Sequence, residues 1–116
     1  MSVSRKRGQS GEARAAEFLA ANGYRIIEKN FRTPRGEVDI VAVREKALVF
    51  VEVKSWSVMS MTELGRSINR TKRSRIRNVA AAFRKQMPQY SDHHVRFDIL
   101  FISSQHPEVT HLTNAF

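Results

Sequence analysis

Two carboxylates and a lysine on neighbouring apolar stretches are the residues best suited to chemistry. The stretches are Gly36-Glu37-Val38-Asp39-Ile40-Val41-Ala42 and Val49-Phe50-Val51-Glu52-Val53-Lys54. Side chains alternate along a strand, so Glu37 shares a face with Asp39, and Glu52 with Lys54. A hairpin closed by a two-residue loop at Glu45-Lys46 places Asp39 opposite Glu52 and Glu37 opposite Lys54. Opposed β-carbons lie about 4.5–5.5 Å apart. An odd-numbered loop would stagger these pairs. Two carboxylates so placed repel, and an unpaired charge in an apolar run is costly. A bound cation, a basic side chain or a raised pKa must offset it. Asp39 and Glu52, with the carbonyl of Val53, suit Mg²⁺ or Mn²⁺; Mg²⁺ binds through one or two carboxylates while keeping waters and phosphate oxygens. Such an ion lowers the pKa of a bound water and polarises a phosphate. Lys54 would orient that water, take its proton or stabilise the charged transition state. The competing account is a satisfied ion-pair cluster, with Glu37 bridged to Lys54 and Asp39 to an arginine.

A second group is cationic. No acidic residue occurs between Glu63 and Asp92, while Arg66, Arg70, Lys72, Arg73, Arg75, Arg77, Arg84 and Lys85 all do. Arg66, Arg70, Arg73 and Arg77 step by four and three, so they form one stripe on a helix. Such residues bind phosphates without reading sequence. A solvated helix face is the alternative. The whole chain has a formal charge of +9, which implies a polyanionic partner. Nucleic acid is the commonest for a compact domain; an acidic membrane surface or an acidic protein are the others. His93, His94, His106 and His111 lack the spacing of a zinc pair on a helix. Trp56 either packs or rims the site.

The elements that must position these residues follow from pattern. Residues 1–8 read as a basic, flexible start. Gly11 to Asn22 reads as a helix with Ser10 as its cap, Ala13, Ala16, Leu19 and Ala20 on one face, and Gly23 closing it. Tyr24 to Glu28 is a short strand, and Phe31 to Gly36, with Pro34, a loop. Glu37 to Val43 and Ala47 to Val53 are strands, the second apolar enough for the centre of a sheet. A long helix runs from about Glu63 to Gln86, with Leu64, Ile68, Ile76, Val79, Ala80, Phe83 and Met87 on one face, and Pro88 stops it. Val95 to Ile102, containing Arg96 and Asp98, and Val109 to Leu112 are strands. This order gives an α/β fold, a mixed sheet flanked by helices, with the crossover making the third and fourth strands parallel.

The length of 116 residues suits one domain. With no cysteine, disulfides, thiolate metal sites and cysteine nucleophiles are excluded, and a reducing cytoplasm fits. No apolar stretch spans a bilayer, and the basic N-terminus lacks the apolar segment of a secretory signal.

Asp39 followed by Glu52-Val53-Lys54 on the next strand resembles the PD-(D/E)xK nuclease superfamily. The wider text, GEARAAEFLAANGYRIIEKNFRTPRGEVDIVAV, LVFVEVK and HLTNAF, resembles the YraN family of small bacterial proteins, themselves similar to archaeal Holliday-junction resolvases. The resemblance covers about Gly11 to Phe116. It implies a restriction-endonuclease-like fold and metal-dependent hydrolysis of phosphodiester bonds, in DNA more than RNA. It puts Asp39, Glu52 and Lys54 on catalytic positions and Glu12 where resolvase-like members carry a further acidic metal-site residue. Read alone, Glu12 is a first-turn helix glutamate stabilised by the macrodipole. A lysine at the place of Lys72 is frequent in the family. Ser55-Trp56 stands where the family often has a basic residue. A homodimer is compatible with all of this. The rival readings are a catalytically silent nucleic-acid-binding module and an interaction subunit whose basic helix docks an acidic protein.

Overall fold

The computed structural model describes residues 3–56, 70–103 and 107–116, with only the main chain for 3–10 and Trp56. Helix α1 (Val3–Ala21) leads into strands β1 (Arg25–Thr33), β2 (Gly36–Arg44) and β3 (Ala47–Trp56). Helix α2 (Arg70–Gln86), a 3-10 turn at Pro88–Tyr90, β4 (His94–Ser103) and β5 (Val109–Leu112) follow. The strands form one sheet in the order β1-β2-β3-β4-β5. The first three make an antiparallel meander, β4 runs parallel to β3, and β5 is antiparallel to β4. The architecture is the expected one, a mixed sheet flanked by helices, of restriction-endonuclease-like type. No helix among the described residues is long and apolar enough to cross a membrane.

Each helix seals one face. Ala15 and Leu19 of α1 pack on Ile40, Ala42, Val49, Val51, Leu100 and Ile102. Val79, Ala80 and Phe83 of α2 pack on Val38, Val41, Val43, Leu48 and Phe50. The continuous apolar run of β3 thus serves both layers, as a central strand must. Phe83 anchors the second layer, with its ring edge-on to Phe31 at 5.2 Å and to Phe50 at 5.7 Å.

Several boundaries differ from the sequence reading. Helix α1 starts at Val3, so Ser10 lies inside it and does not cap it. Arg, Lys and Gln favour helix enough to carry it through two glycines, each costing about 1 kcal/mol. Its buried face is Gly11, Ala15 and Leu19, with Ala16 and Phe18 beside them, while Ala13 and Ala20 are exposed. Strand β1 continues through Phe31–Thr33, the expected loop. Pro34 and Arg35 alone make the turn, where proline sets the backbone angle without breaking a strand. Glu63, Leu64, Arg66 and Ile68 lie outside the described residues. The β2–β3 hairpin closes on Glu45-Lys46, with Arg44 paired to Ala47 and Glu45 in the left-handed region at φ 55°.

Candidate active site

Register brings the acidic residues together. The β2–β3 ladder runs from Arg44 with Ala47 to Ile40 with Val51; one step on, Asp39 comes within reach of the Glu52 charge. Where the ladder ends, the Val53 N–H donates to Asp39 Oδ2 at 2.7 Å. The side chain of Val53 turns to the α1 face.

At Asp39 the strand changes faces. Val38 joins the α2-side layer and Ile40 the α1-side layer, although residues two apart ordinarily share a face. On β1, Lys29 pairs with Ile40 and Phe31 with Val38, so both strands switch across the Asn30–Asp39 step. Asn30 has φ 53°, a conformation asparagine tolerates better than most residues. The switch explains a correction. Glu37 does not reach Lys54 but pairs across the hairpin with Arg32 at 2.7 Å. Lys54 pairs with its own strand neighbour Glu52 at 3.4 Å, both about four-fifths buried.

Two further residues arrive from the helices. Gly11 lets α1 approach the end of β3, since a β-carbon there would stand 2.9 Å from Ser55 Oγ. Glu12, the next residue, accepts a hydrogen bond from Asn30 Nδ2 at 3.0 Å. Because α1 begins at Val3, Glu12 is well inside the helix, and the first-turn macrodipole account of it falls away. From α2, Lys72 comes beside Lys54.

The electrostatics are those of a crowded anionic point. Burial first, then the charges of Glu52, Glu12 and Glu37, push the Asp39 carboxyl up to about 7, against the lowering effect of the Val53 N–H. Lys72 is held below the ordinary lysine value by the close approach of Lys54 and the repulsion of that charge, then by burial. Among the described residues no three acidic or imidazole side chains already stand as a closed ligand set. The donors fit Mg²⁺ or Mn²⁺ through two carboxylates completed by main chain and water, and the surplus of negative charge at Asp39 is what a cation would offset.

Other residues lie apart. Arg70, Arg73 and Arg77 are exposed. At 3.6 residues per turn, Arg73 and Arg77 flank the buried Ile76–Val79–Phe83 stripe on one side, and Arg75 and Asn78 on the other. Arg66 and the side chain of Trp56 lie outside the description. Sequence reasoning missed Asn30 and the position of Lys72 beside Lys54. It also left Asp98 without a role. That carboxylate is fully buried and accepts hydrogen bonds from Arg96 Nε at 2.9 Å and Nη2 at 2.8 Å, and from the Asn114 N–H at 3.0 Å; His111 Nε2 lies 2.7 Å away.

Comparison with known proteins agrees with the text resemblance. The profile of Uncharacterised protein family UPF0102 matches residues 11–102. A UPF0102 protein of Nitrobacter winogradskyi is 41% identical over 109 residues, 94% of this chain and 90% of that protein. One from Moorella thermoacetica is 47% identical over 79 residues, 68% of this chain and 66% of that protein. One from Treponema pallidum is 37% identical over 114 residues, 94% and 90% of the two chains. Among solved structures, Pyrococcus furiosus SfsA in complex with Ca²⁺ aligns at 16% identity, covering 95% of this chain and 63% of that one, with a TM-score of 0.35. That score is too low to bear on fold or function. With the family profile spanning most of its length and relatives matching nearly end to end, the chain belongs to the UPF0102 family, the YraN family of the resemblance.

Proposed function

We propose that this protein is a metal-dependent endonuclease that hydrolyses phosphodiester bonds in nucleic acid, DNA before RNA. The observation that carries the reading is the meeting of Asp39, Glu52 and Lys54 where β2 and β3 part, with Asp39 pushed up to about 7. A structural ion-pair cluster would neutralise its carboxylates. Here the cation next to Glu52 is Lys54, and Asp39 receives a main-chain N–H but no cation among the described residues.

Asp39 and Glu52 would hold Mg²⁺ or Mn²⁺, with Glu12 and the Val53 carbonyl as further donors. The bound ion supplies Lewis acidity toward a phosphate and a water of lowered pKa. The chain's own residues do the rest. Lys54 stands beside Glu52 and is placed to orient the attacking water and to stabilise charge on the phosphate oxygens. Lys72 stands beside Lys54 and adds a second basic group to the site. Asn30 donates a hydrogen bond to Glu12 and so helps to orient its carboxylate.

The test is a metal titration by calorimetry and a cleavage time course on junction, flap, single-strand and duplex substrates. Asp39→Asn should weaken metal binding, abolish cleavage and spare nucleic-acid binding. Lys54→Ala should keep the metal and lose about 10²–10⁴-fold in rate. Wild type that binds neither ion at millimolar concentration, with nucleic acid present, would end the catalytic reading. The lack of a closed three-residue ligand set among the described residues favours a silent binding module as the second reading. Cleavage by wild type, lost in Asp39→Asn, excludes it.

A further inference from the structure

The β1–β2 turn leans over α2 and leaves a cleft between them. Gly36, at φ 153°, brings the turn so close that a β-carbon there would meet Val79 Cγ2 at 3.5 Å and Arg75 Cβ at 3.6 Å. The cleft has a volume of about 800 Å³ and is lined by Arg32, Arg35, Glu37, Arg75 and Asn78, among others. Its charges do not cancel. Glu37 is taken by Arg32, and neither the Arg35 nor the Arg75 guanidinium has a carboxylate partner among the described residues. Two forked donors and an amide therefore face one polar space, a donor set that matches phosphate oxygens.

The cleft lies within electrostatic reach of the candidate active site. Arg75 is close enough to Lys72 to repel its charge, and Lys72 touches Lys54. Glu37, on the cleft wall, is two residues from Asp39 and close enough to raise its pKa. Arg73 and Arg77 project from the other flank of α2 and take no part in this path.

We propose that this cleft is a phosphodiester-binding site, in which Arg35 and Arg75 clasp a backbone phosphate of duplex DNA beside the bond to be cut. The inference rests on the endonuclease reading for its substrate, but binding tests it independently of cleavage. The β1–β2 turn and α2 act as two jaws, one cation on each. The turn is set by Pro34 and by Thr33 Oγ1, which accepts the Arg35 N–H at 3.1 Å, so the clasp is preorganised on its hairpin side.

The experiment measures affinity for a short labelled DNA duplex across a salt series in chelator, which stops any cleavage. Each phosphate contact contributes about 0.9 to the log–log salt slope. The Arg35→Ala/Arg75→Ala protein should therefore lose about 0.9 to 1.8 of slope, as the two arginines share one phosphate or hold two. Both side chains are exposed, and alanine keeps the Arg75 β-carbon, so the fold should survive. The charge-matched control is Arg25→Ala/Lys85→Ala, which removes two exposed cations away from the cleft and should lose less than half as much. Asn78→Asp adds a carboxylate beside Arg75 without touching either arginine, and should weaken binding several-fold at unchanged Tm. Equal slope losses in the two double variants, unchanged affinity in Asn78→Asp, or no DNA binding by wild type would each overturn the clasp. Calorimetry of the wild type with Mn²⁺ alone separates the two claims. A specific slope loss without metal binding keeps the clasp and ends the nuclease reading. Metal binding with equal slope losses does the reverse.

Discussion

Asp39 titrates far from its ordinary value, and the sign of the consequence can be worked out. Its carboxyl stands at about 7 in the folded chain against 3.8 for a free aspartate. Between those values the folded chain holds a proton that the unfolded chain has released. The stability due to this group is thus fully present below about pH 4, falls as the pH rises to 7, and is constant above. At roughly 1.4 kcal/mol per unit, the loss is on the order of 4 kcal/mol. Asp39→Asn removes the titration, and its amide oxygen can still accept the Val53 N–H. Without divalent ions, the Tm of the variant relative to wild type should climb from pH 4 to 7 and then level off. Mn²⁺ should close the gap at pH 8 by raising wild type alone. A difference that stays flat with pH would mean that neither burial nor the neighbouring carboxylates raise Asp39. The same charge map changes what Lys54→Ala exposes. The carboxylate left without its cation is Glu52, since Glu37 is held by Arg32.

Among the elements, the approach of α1 to β3 decides where Glu12 stands. Gly11→Ala together with Ser55→Ala should be neutral or stabilising by up to about 1 kcal/mol, because alanine favours helix and the crowding oxygen is gone. Gly11→Val alone should cost about 1–3 kcal/mol by overpacking and weaken Mn²⁺ binding as Glu12 is moved away. Thermal unfolding and calorimetry check both. The elements also separate what could be read in the sequence from what could not. The β2–β3 register was legible because an apolar run and a two-residue loop admit one pairing that buries both strands. The face switch at Asn30–Asp39 was not, because a left-handed asparagine leaves no trace in an alternation pattern. The expected Glu37–Lys54 pair failed for that reason alone. Pro34 misled in the other direction: a single turn residue was read as a whole loop.

For the molecule as a whole, the buried Asp98 is the chief polar commitment. Its hydrogen bonds from His111, Arg96 and the Asn114 N–H, together with the charge of Arg96, outweigh burial and hold it below the ordinary carboxylate range. Arg96 also donates to the Tyr24 hydroxyl, so the network ties β4, β5, the segment after β5 and the residue just before β1. Asp98→Asn leaves Arg96 without its counter-charge and should cost about 3–5 kcal/mol, read from urea unfolding at neutral pH. Because Asp98 is depressed, its contribution should fade as the pH drops below about 4, so variant and wild type should converge in acid. The sequence displayed Arg96 and Asp98 side by side in a strand, but their partners lie as far off as Tyr24 and Asn114, beyond the reach of any local pattern. The proposed nucleic-acid partner rests in the sequence on net charge and resemblance; which cations face the candidate site depends on the rotation of α2.

That network also has a bearing on synthesis. A ribosome delivers β4 well before His111 and Asn114, so for a time Asp98 has Arg96 as its nearest answer and no β5 to cover it. The Phe97 ring likewise waits for Phe116, on which it stacks at 5.6 Å. A nascent chain paused short of residue 114 would hold the carboxylates of β2 and β3 in an unfinished sheet. On the endonuclease proposal, the cutting centre would sit in that unfinished sheet until β5 has paired with β4.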